Sequence, residues 1–179
     1  MVSTETLLHP GGYRTPWHIH RAGQLWRIAT GLLVIESQRG RSVVPAKHIG
    51  WIPPGNQHAA FSESAIEGSA IYLDPACCAR LPDVPALFEP DDLTHALFSR
   101  LSVAESEYDP RKLTLLLDEL AVAPQVHFTL PVPTDPRLKD VVRHLLQFVD
   151  DNQTVENHAR QAGMSVRTFN RRFRAQTGM

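Results

Sequence analysis

The chain has 179 residues, 42% of them hydrophobic and 21% charged, enough to bury a core of ordinary size and a smaller module beside it. A formal net charge of -1 excludes a protein that coats nucleic acid along its whole surface, so any DNA contact must be local. The opening MVSTETLLHPGG lacks the basic start and apolar stretch of a secretory signal, and no later run approaches the roughly 18 apolar residues of a bilayer span; the expectation is a soluble, cytoplasmic protein with no membrane partner.

From 11 to 75, Gly and Pro punctuate short runs containing Val, Ile and Trp, and no helical periodicity lasts longer than a turn. That pattern predicts a small antiparallel β-barrel or sandwich, with strands at 16–20, 24–30, 31–37, 42–44, 49–52, 57–61 and 67–73 and a tight turn at Pro53-Pro54-Gly55. In the stretch from Trp17 to Gln24, the side chains of His18, His20 and Gln24 share parity, which puts them on one face if the strand direction survives the turn at 21–23. Two imidazoles two residues apart can bite one metal ion from one side, and the turn before His58 can return a third over the barrel mouth. Three imidazoles suit zinc, nickel, iron or manganese, with the Gln24 amide oxygen as a weak fourth ligand. Gln is neutral, so the ion would keep its double charge and favour an anionic ligand or water. Trp26 and Ile28 share the parity of Gln24 and are read as effector contacts in the same cavity. The adjacent Cys77 and Cys78 suit neither an ordinary disulfide nor a zinc cage and read as apolar fillers near a turn.

After Pro90 the period changes. Leu93, Ala96, Leu97 and Leu101, then Leu113, Leu116, Leu117 and Leu120, recur at spacings of three and four and predict two amphipathic helices. Such a stripe packs either on its own barrel or on a second copy; a homodimer through residues 90–122 is the expectation. Pro124, Pro131, Pro133 and Pro136 mark a linker, and the apolar positions from Leu138 to Val149 predict a third helix over 137–150.

The terminal segment carries a second signal. Thr154 can cap one helix, Gly163 can stop it, and Ser165 can cap another over 166–176. Helix, short Gly turn, helix is the order of a helix-turn-helix, whose second helix enters the major groove. On that helix Phe169 and Phe173 would face the first helix, and Arg167, Asn170, Arg171 and Arg174 share the exposed face. From Thr154 onward five arginines stand against one glutamate, a local charge of +4 of the kind phosphate-backbone binding needs.

Two resemblances join these readings. Gly12, His18, His20, Gln24 and Gly31 resemble the first motif of the cupins, with Gln24 in the place of Glu, and Pro53, Gly55 and His58 resemble the second, with Lys47 where a glycine is expected. Ala159, Gly163, Met164, Ser165, Arg167, Thr168, Arg171, Phe173, Thr177 and Gly178 resemble the first helix-turn-helix of the AraC family of transcription regulators, with Phe169 for the usual leucine and a more polar Asn157-His158. Together they imply a mainly β cupin (double-stranded β-helix or jelly-roll barrel) at 1–86, a helical dimerisation region at 87–128, and a linker with a partial AraC-type DNA-binding domain at 129–179.

The function expected is a DNA-binding regulator, not an enzyme. His18, His20, Gln24 and His58 hold a divalent metal, Trp26 and Ile28 meet a small-molecule effector, and Ser165, Arg167, Asn170, Arg171 and Arg174 meet a double-stranded operator. In the family a second helix-turn-helix follows, so a fragment or truncated product with weak DNA affinity is expected. Two alternatives stand beside it: a metal-dependent cupin enzyme of dioxygenase or isomerase type with an appended helical module, and a metal-free dimerisation barrel with structural histidines. No nucleophile with a partner base supports catalysis, and fold alone does not choose.

Overall fold

The Val-, Ile- and Trp-bearing runs form strands in a computed structural model of the chain, which describes residues 2–38, 40–103, 109–126, 132–148 and 151–178. The strands are β1 (Val2–His9), β2 (Tyr13–Arg14), β3 (Gly23–Thr30), β4 (Leu33–Ser37), β5 (Gly40–Val44), β6 (Ile49–Ile52), β7 (His58–Ser62), β8 (Ile66–Leu73), β9 (Ala86–Phe88) and β10 (Gln125–Val126). They build one sheet in the order β1-β8-β3-β6-β9-β10 and another in the order β2-β7-β4-β5, every pair antiparallel. The mainly β expectation for this part holds. Its details differ in four places: 16–20 makes only a bridge between His18 and His58, and β1, β2 and the pair β9–β10 lie outside the predicted strands. β1 is an edge strand in which Leu7 alone is buried, so it carries no apolar alternation to read.

Strand β3 has its place because both of its faces are covered. Trp26 and Ile28 point between the sheets, where they meet Leu7, Leu33, Ile35 and Ile66. Leu25, of opposite parity, points outward into a second core with Ile49, Trp51, Ile71 and Leu73. Helices α1 (Asp92–Leu101) and α2 (Pro110–Val122) close that outer core with Phe98, Leu101, Leu113, Leu116, Leu117 and Leu120. This corrects the expectation that the leucine stripe pairs two copies. Leu116 and Leu120 are 0% exposed against the chain's own sheet, and each fully buried Leu contributes about 1.5–3 kcal/mol there. The α1 face also differs. Thr94, Phe98 and Leu101 are buried, whereas Leu93 is exposed. Thr94 can be buried because its hydroxyl donates to Asp91 Oδ1 at 2.7 Å. Cys78 lies in this core and Cys77 packs against it, both as free thiols.

Two backbone positions explain local sequence choices. A Cβ on Gly23 would stand 2.3 Å from the Trp51 indole and 2.8 Å from Cys78 Sγ, so only glycine fits beneath that ring. Lys47 has φ 66°, the left-handed conformation that glycine adopts freely. The substitution in the second motif therefore changed the residue and kept the turn.

Helices α3 (Pro136–Gln147), α4 (Val155–Gln161) and α5 (Val166–Thr177) share a separate core of Leu138, Val141, Ala159, Ala162 and Phe169, with Phe173 packed against it. The end of α3 falls earlier than 150; its last described turn closes at Phe148, and 149–150 lie outside the described residues. Between α4 and α5 the chain makes a Schellman turn: Met164 N–H donates to Ala159 O at 2.8 Å, Gly163 N–H to Arg160 O at 2.9 Å, and Gly163 sits at φ 63°. Thr154 and Ser165 cap the two helices as their sequence positions require. Helix α5 is also tied to the start of α3. Arg172 donates to Asp135 Oδ2 at 2.8 Å, and Gln176 Oε1 accepts from the backbone N–H groups of Thr134 and Asp135 at 2.8 and 3.0 Å.

Candidate metal and effector site

The space between the two sheets opens into a cavity of about 210 Å³, whose walls include His18, His20, Gln24, Trp26, His58 and Tyr72. Three backbone features bring the imidazoles together. His20 follows His18 by two residues, the bridge between His18 and His58 is held by paired main-chain bonds of 2.9 and 3.0 Å, and Gly55 N–H donates to His20 O at 2.9 Å. The ligand atoms of His18, His20 and His58 all lie within 4.8 Å of one another.

Hydrogen bonding sets the tautomers. His18 Nδ1 lies 2.8 Å from Pro16 O, and His58 Nδ1 lies 3.0 Å from Asn56 O. A carbonyl only accepts, so both Nδ1 atoms carry the proton and both Nε2 atoms present a lone pair, the arrangement in which backbone carbonyls orient metal-ligating histidines. His18 Nε2 and His20 Nε2 stand 3.0 Å apart. For metal–nitrogen bonds of about 2.1 Å, ligands at right angles would be about 3.0 Å apart and tetrahedral ones about 3.4 Å. Burial, and then the neighbouring His18, holds the His20 imidazole below its ordinary pKa. Burial does the same to His58, against the opposing bond to Asn56. Both shifts favour the neutral, ligand-competent form of His20 and His58.

Gln24 belongs to the same wall and is 5% exposed. Its Nε2 donates to Tyr72 Oη at 2.9 Å, and Tyr72 donates to Glu5 Oε2 at 2.6 Å. Burial, and then Glu5, pushes the Tyr72 phenol well above its ordinary pKa. Gln24 Oε1 is buried and has no hydrogen-bond partner among the described residues. The donor set thus fits a divalent cation: three convergent imidazoles and one carbonyl oxygen left unsatisfied.

Trp26 lines the cavity, with its indole 5.8 Å from the His58 ring. Ile28 does not. It has the expected parity but lies two residues further along β3, about 6.6 Å deeper, within the inter-sheet core at 1% exposure. Glu5, His9, Tyr13 and Tyr72 share the wall without belonging to the histidine pattern of the sequence. Tyr72 had a usable signal, since it is the direct antiparallel partner of Gln24, but strand pairing must be known to use it.

Residues 6–165 match the family described as the AraC-like ligand binding domain. The chain belongs to that family. Among curated proteins, this AraC-like domain chain is 29% identical over 173 residues to the HTH-type transcriptional regulator NimR of Escherichia coli strain K12, an alignment covering 92% of this chain and 62% of NimR. It thus spans about three fifths of the length of that relative. Among solved structures it is similar to ToxT of Vibrio cholerae, at 8% identity and a TM-score of 0.49 over 99% of this chain and 76% of that one. A cupin-2 domain containing protein from Shewanella frigidimarina is similar at 18% identity and a TM-score of 0.36, over 39% of this chain and 68% of that one.

The AraC-like domain chain carries its second candidate surface on α5. Arg167, Asn170, Arg171 and Arg174 are all exposed and make no ion pair among the described residues. Ser165 is exposed too, with its hydroxyl engaged in capping: it accepts from Thr168 N–H at 3.3 Å and donates to Thr168 Oγ1 at 3.0 Å. Among the described residues no helix is long and apolar enough to cross a membrane.

Proposed function

We propose that the barrel is the effector-sensing part of a DNA-binding transcription regulator and that α4 and α5 form a helix-turn-helix reading double-stranded DNA. One observation carries this reading: a single chain joins a family-matched ligand-binding barrel, its cavity lined by three convergent imidazoles, to a capped helix with an unpaired arginine face. In this reading α5 enters the major groove; Arg167, Arg171 and Arg174 meet phosphates or guanine edges and Asn170 meets adenine. Phe169 and Phe173, stacked with ring centres 5.5 Å apart, hold the helix on α4 and leave those side chains free.

His18, His20 and His58 would hold a divalent metal, zinc, nickel, iron or manganese, with Gln24 completing the set. Such an ion, held by neutral ligands only, supplies a positive centre for an anionic group or water on the effector. The protein's own part is to place Trp26 beside that point and exclude bulk water with Leu7, Leu33 and Ile66. An effector changes DNA binding only if it binds the DNA-competent and incompetent arrangements with different affinity. A homodimer is part of the same reading; with the leucine stripe internal, residues 90–122 offer a second copy the exposed Leu93, Leu115 and Val122 instead.

The test is selection from a random-sequence duplex pool. The chain is expected to enrich a recurring sequence, and Arg171→Ala to bind it more weakly with a log K against log salt slope smaller by about 1 if Arg171 meets a phosphate. No enrichment, or a variant with unchanged affinity and slope, overturns the assigned DNA face.

A further inference from the structure

The hydrogen bonds across β1, β8 and β3 have a fixed polarity. Tyr72 lies opposite Gln24 in the β3–β8 register, and Glu5 lies two residues beyond Ser3, the β1 partner of Tyr72. A carboxylate has no proton to give, so the single phenolic proton of Tyr72 goes to Glu5 Oε2, at 2.6 Å. The Tyr72 oxygen is then an acceptor toward Gln24. Only the NH₂ end of the Gln24 amide can face it, which is the observed contact at 2.9 Å. The amide oxygen is forced to the opposite side, and there it is buried without a partner among the described residues. An unsatisfied buried carbonyl costs about 1–3 kcal/mol unless something satisfies it.

We propose that Glu5 and Tyr72 are positioning residues that turn the Gln24 carbonyl oxygen toward the His18, His20 and His58 cluster, making a neutral amide serve as the fourth ligand of a divalent cation. This rests on the metal reading given above. Glu5 also restores, two hydrogen bonds further out, the negative charge that the Gln for Glu difference removed from the first motif. Without Glu5 the phenolic proton is free to turn to Gln24 Oε1, and the amide flips its NH₂ toward the imidazoles, where it cannot bind a cation. Because Glu5 is exposed, its replacement leaves the core intact.

The test is Zn²⁺ titration of the whole chain by calorimetry for wild type, Glu5→Ala, Tyr72→Phe, Gln24→Ala and the Glu5→Ala/Gln24→Ala double variant, with Co²⁺ absorption as a report on ligand number. Orienting groups of this kind are worth about 10–100-fold in metal affinity. Glu5→Ala and Tyr72→Phe should each weaken Zn²⁺ binding within that range and shift the Co²⁺ spectrum as Gln24→Ala does, and Glu5→Ala should cause no further loss once Gln24 is gone. Wild-type affinity in Glu5→Ala, or a loss that adds in full to that of Gln24→Ala, overturns the positioning role while the metal site stands. If wild type binds no Zn²⁺, or His58→Ala binds it equally well, the metal site itself is wrong and the positioning role falls with it.

Discussion

Replacing His58 by Ala separates the metal site from the barrel that carries it. The His58 ring is 1% exposed and supplies one of three convergent nitrogens, yet the bonds that hold the strand to His18 are main-chain bonds of 2.9 and 3.0 Å and survive the substitution. A ligand that binds only the folded state at 100 times its dissociation constant stabilises it by about 2.7 kcal/mol, less any binding to the unfolded chain. For a chain of this length each kcal/mol moves the melting temperature by about 2–4 °C. Zn²⁺ at that excess over the chelated protein should therefore raise the wild-type melting temperature by about 5–11 °C. In His58→Ala, with only His18 and His20 left, the same Zn²⁺ should give a small fraction of that rise, although the chelated variant still melts cooperatively. The assay is thermal unfolding followed by circular dichroism, with chelator and then with Zn²⁺. Equal increments in both proteins, or none in either, would refute the assignment of these imidazoles.

The remaining predictions concern packing and acid stability. Leu116→Ala should destabilise by about 2–5 kcal/mol in urea unfolding, because Leu116 is 0% exposed in the outer core, whereas Leu8→Ser at 69% exposure should stay within about 0.5 kcal/mol; similar small effects would return the leucine stripe to an intersubunit role. Bonding to Arg137, with Arg172 adding to it, holds the Asp135 carboxyl below its usual range. A depressed folded pKa contributes stability above the unfolded value near about 3.9 and loses it as pH falls through the folded one. Asp135→Asn should therefore show a shallower loss of stability below about pH 4 in acid titrations of the α3–α5 unit's helical signal; an identical acid limb would mean that the tie between α3 and α5 is not electrostatic.

The residues of the candidate site are readable where their spacing is local. His18 and His20 are two apart, and the Pro53-Pro54-Gly55 turn returns His58 to them through a bridge that 16–20 makes without being a strand. Caps and stops were local too: Thr154, Gly163 and Ser165 act where the sequence put them. What failed depended on three-dimensional depth or on distant pairing. Parity placed Ile28 on the inner face and said nothing of how far down the barrel the cavity reaches. The leucine spacing points the α1 face at Leu93 rather than Phe98, because Thr94 is polar by type and is buried only through its bond to Asp91. Glu5 and Tyr72 are 67 residues apart and meet because β1 adds to the sheet edge beside β8, a pairing that no short window contains.

Coupling between barrel and helices is the central claim, and one titration tests it most directly. Fluorescence anisotropy of the selected duplex against the chain, with and without saturating Zn²⁺, should give affinities differing by at least about 5-fold, the lower end of ordinary allosteric coupling, and His58→Ala should abolish the difference. Superimposable curves for the wild type at full metal occupancy would contradict it.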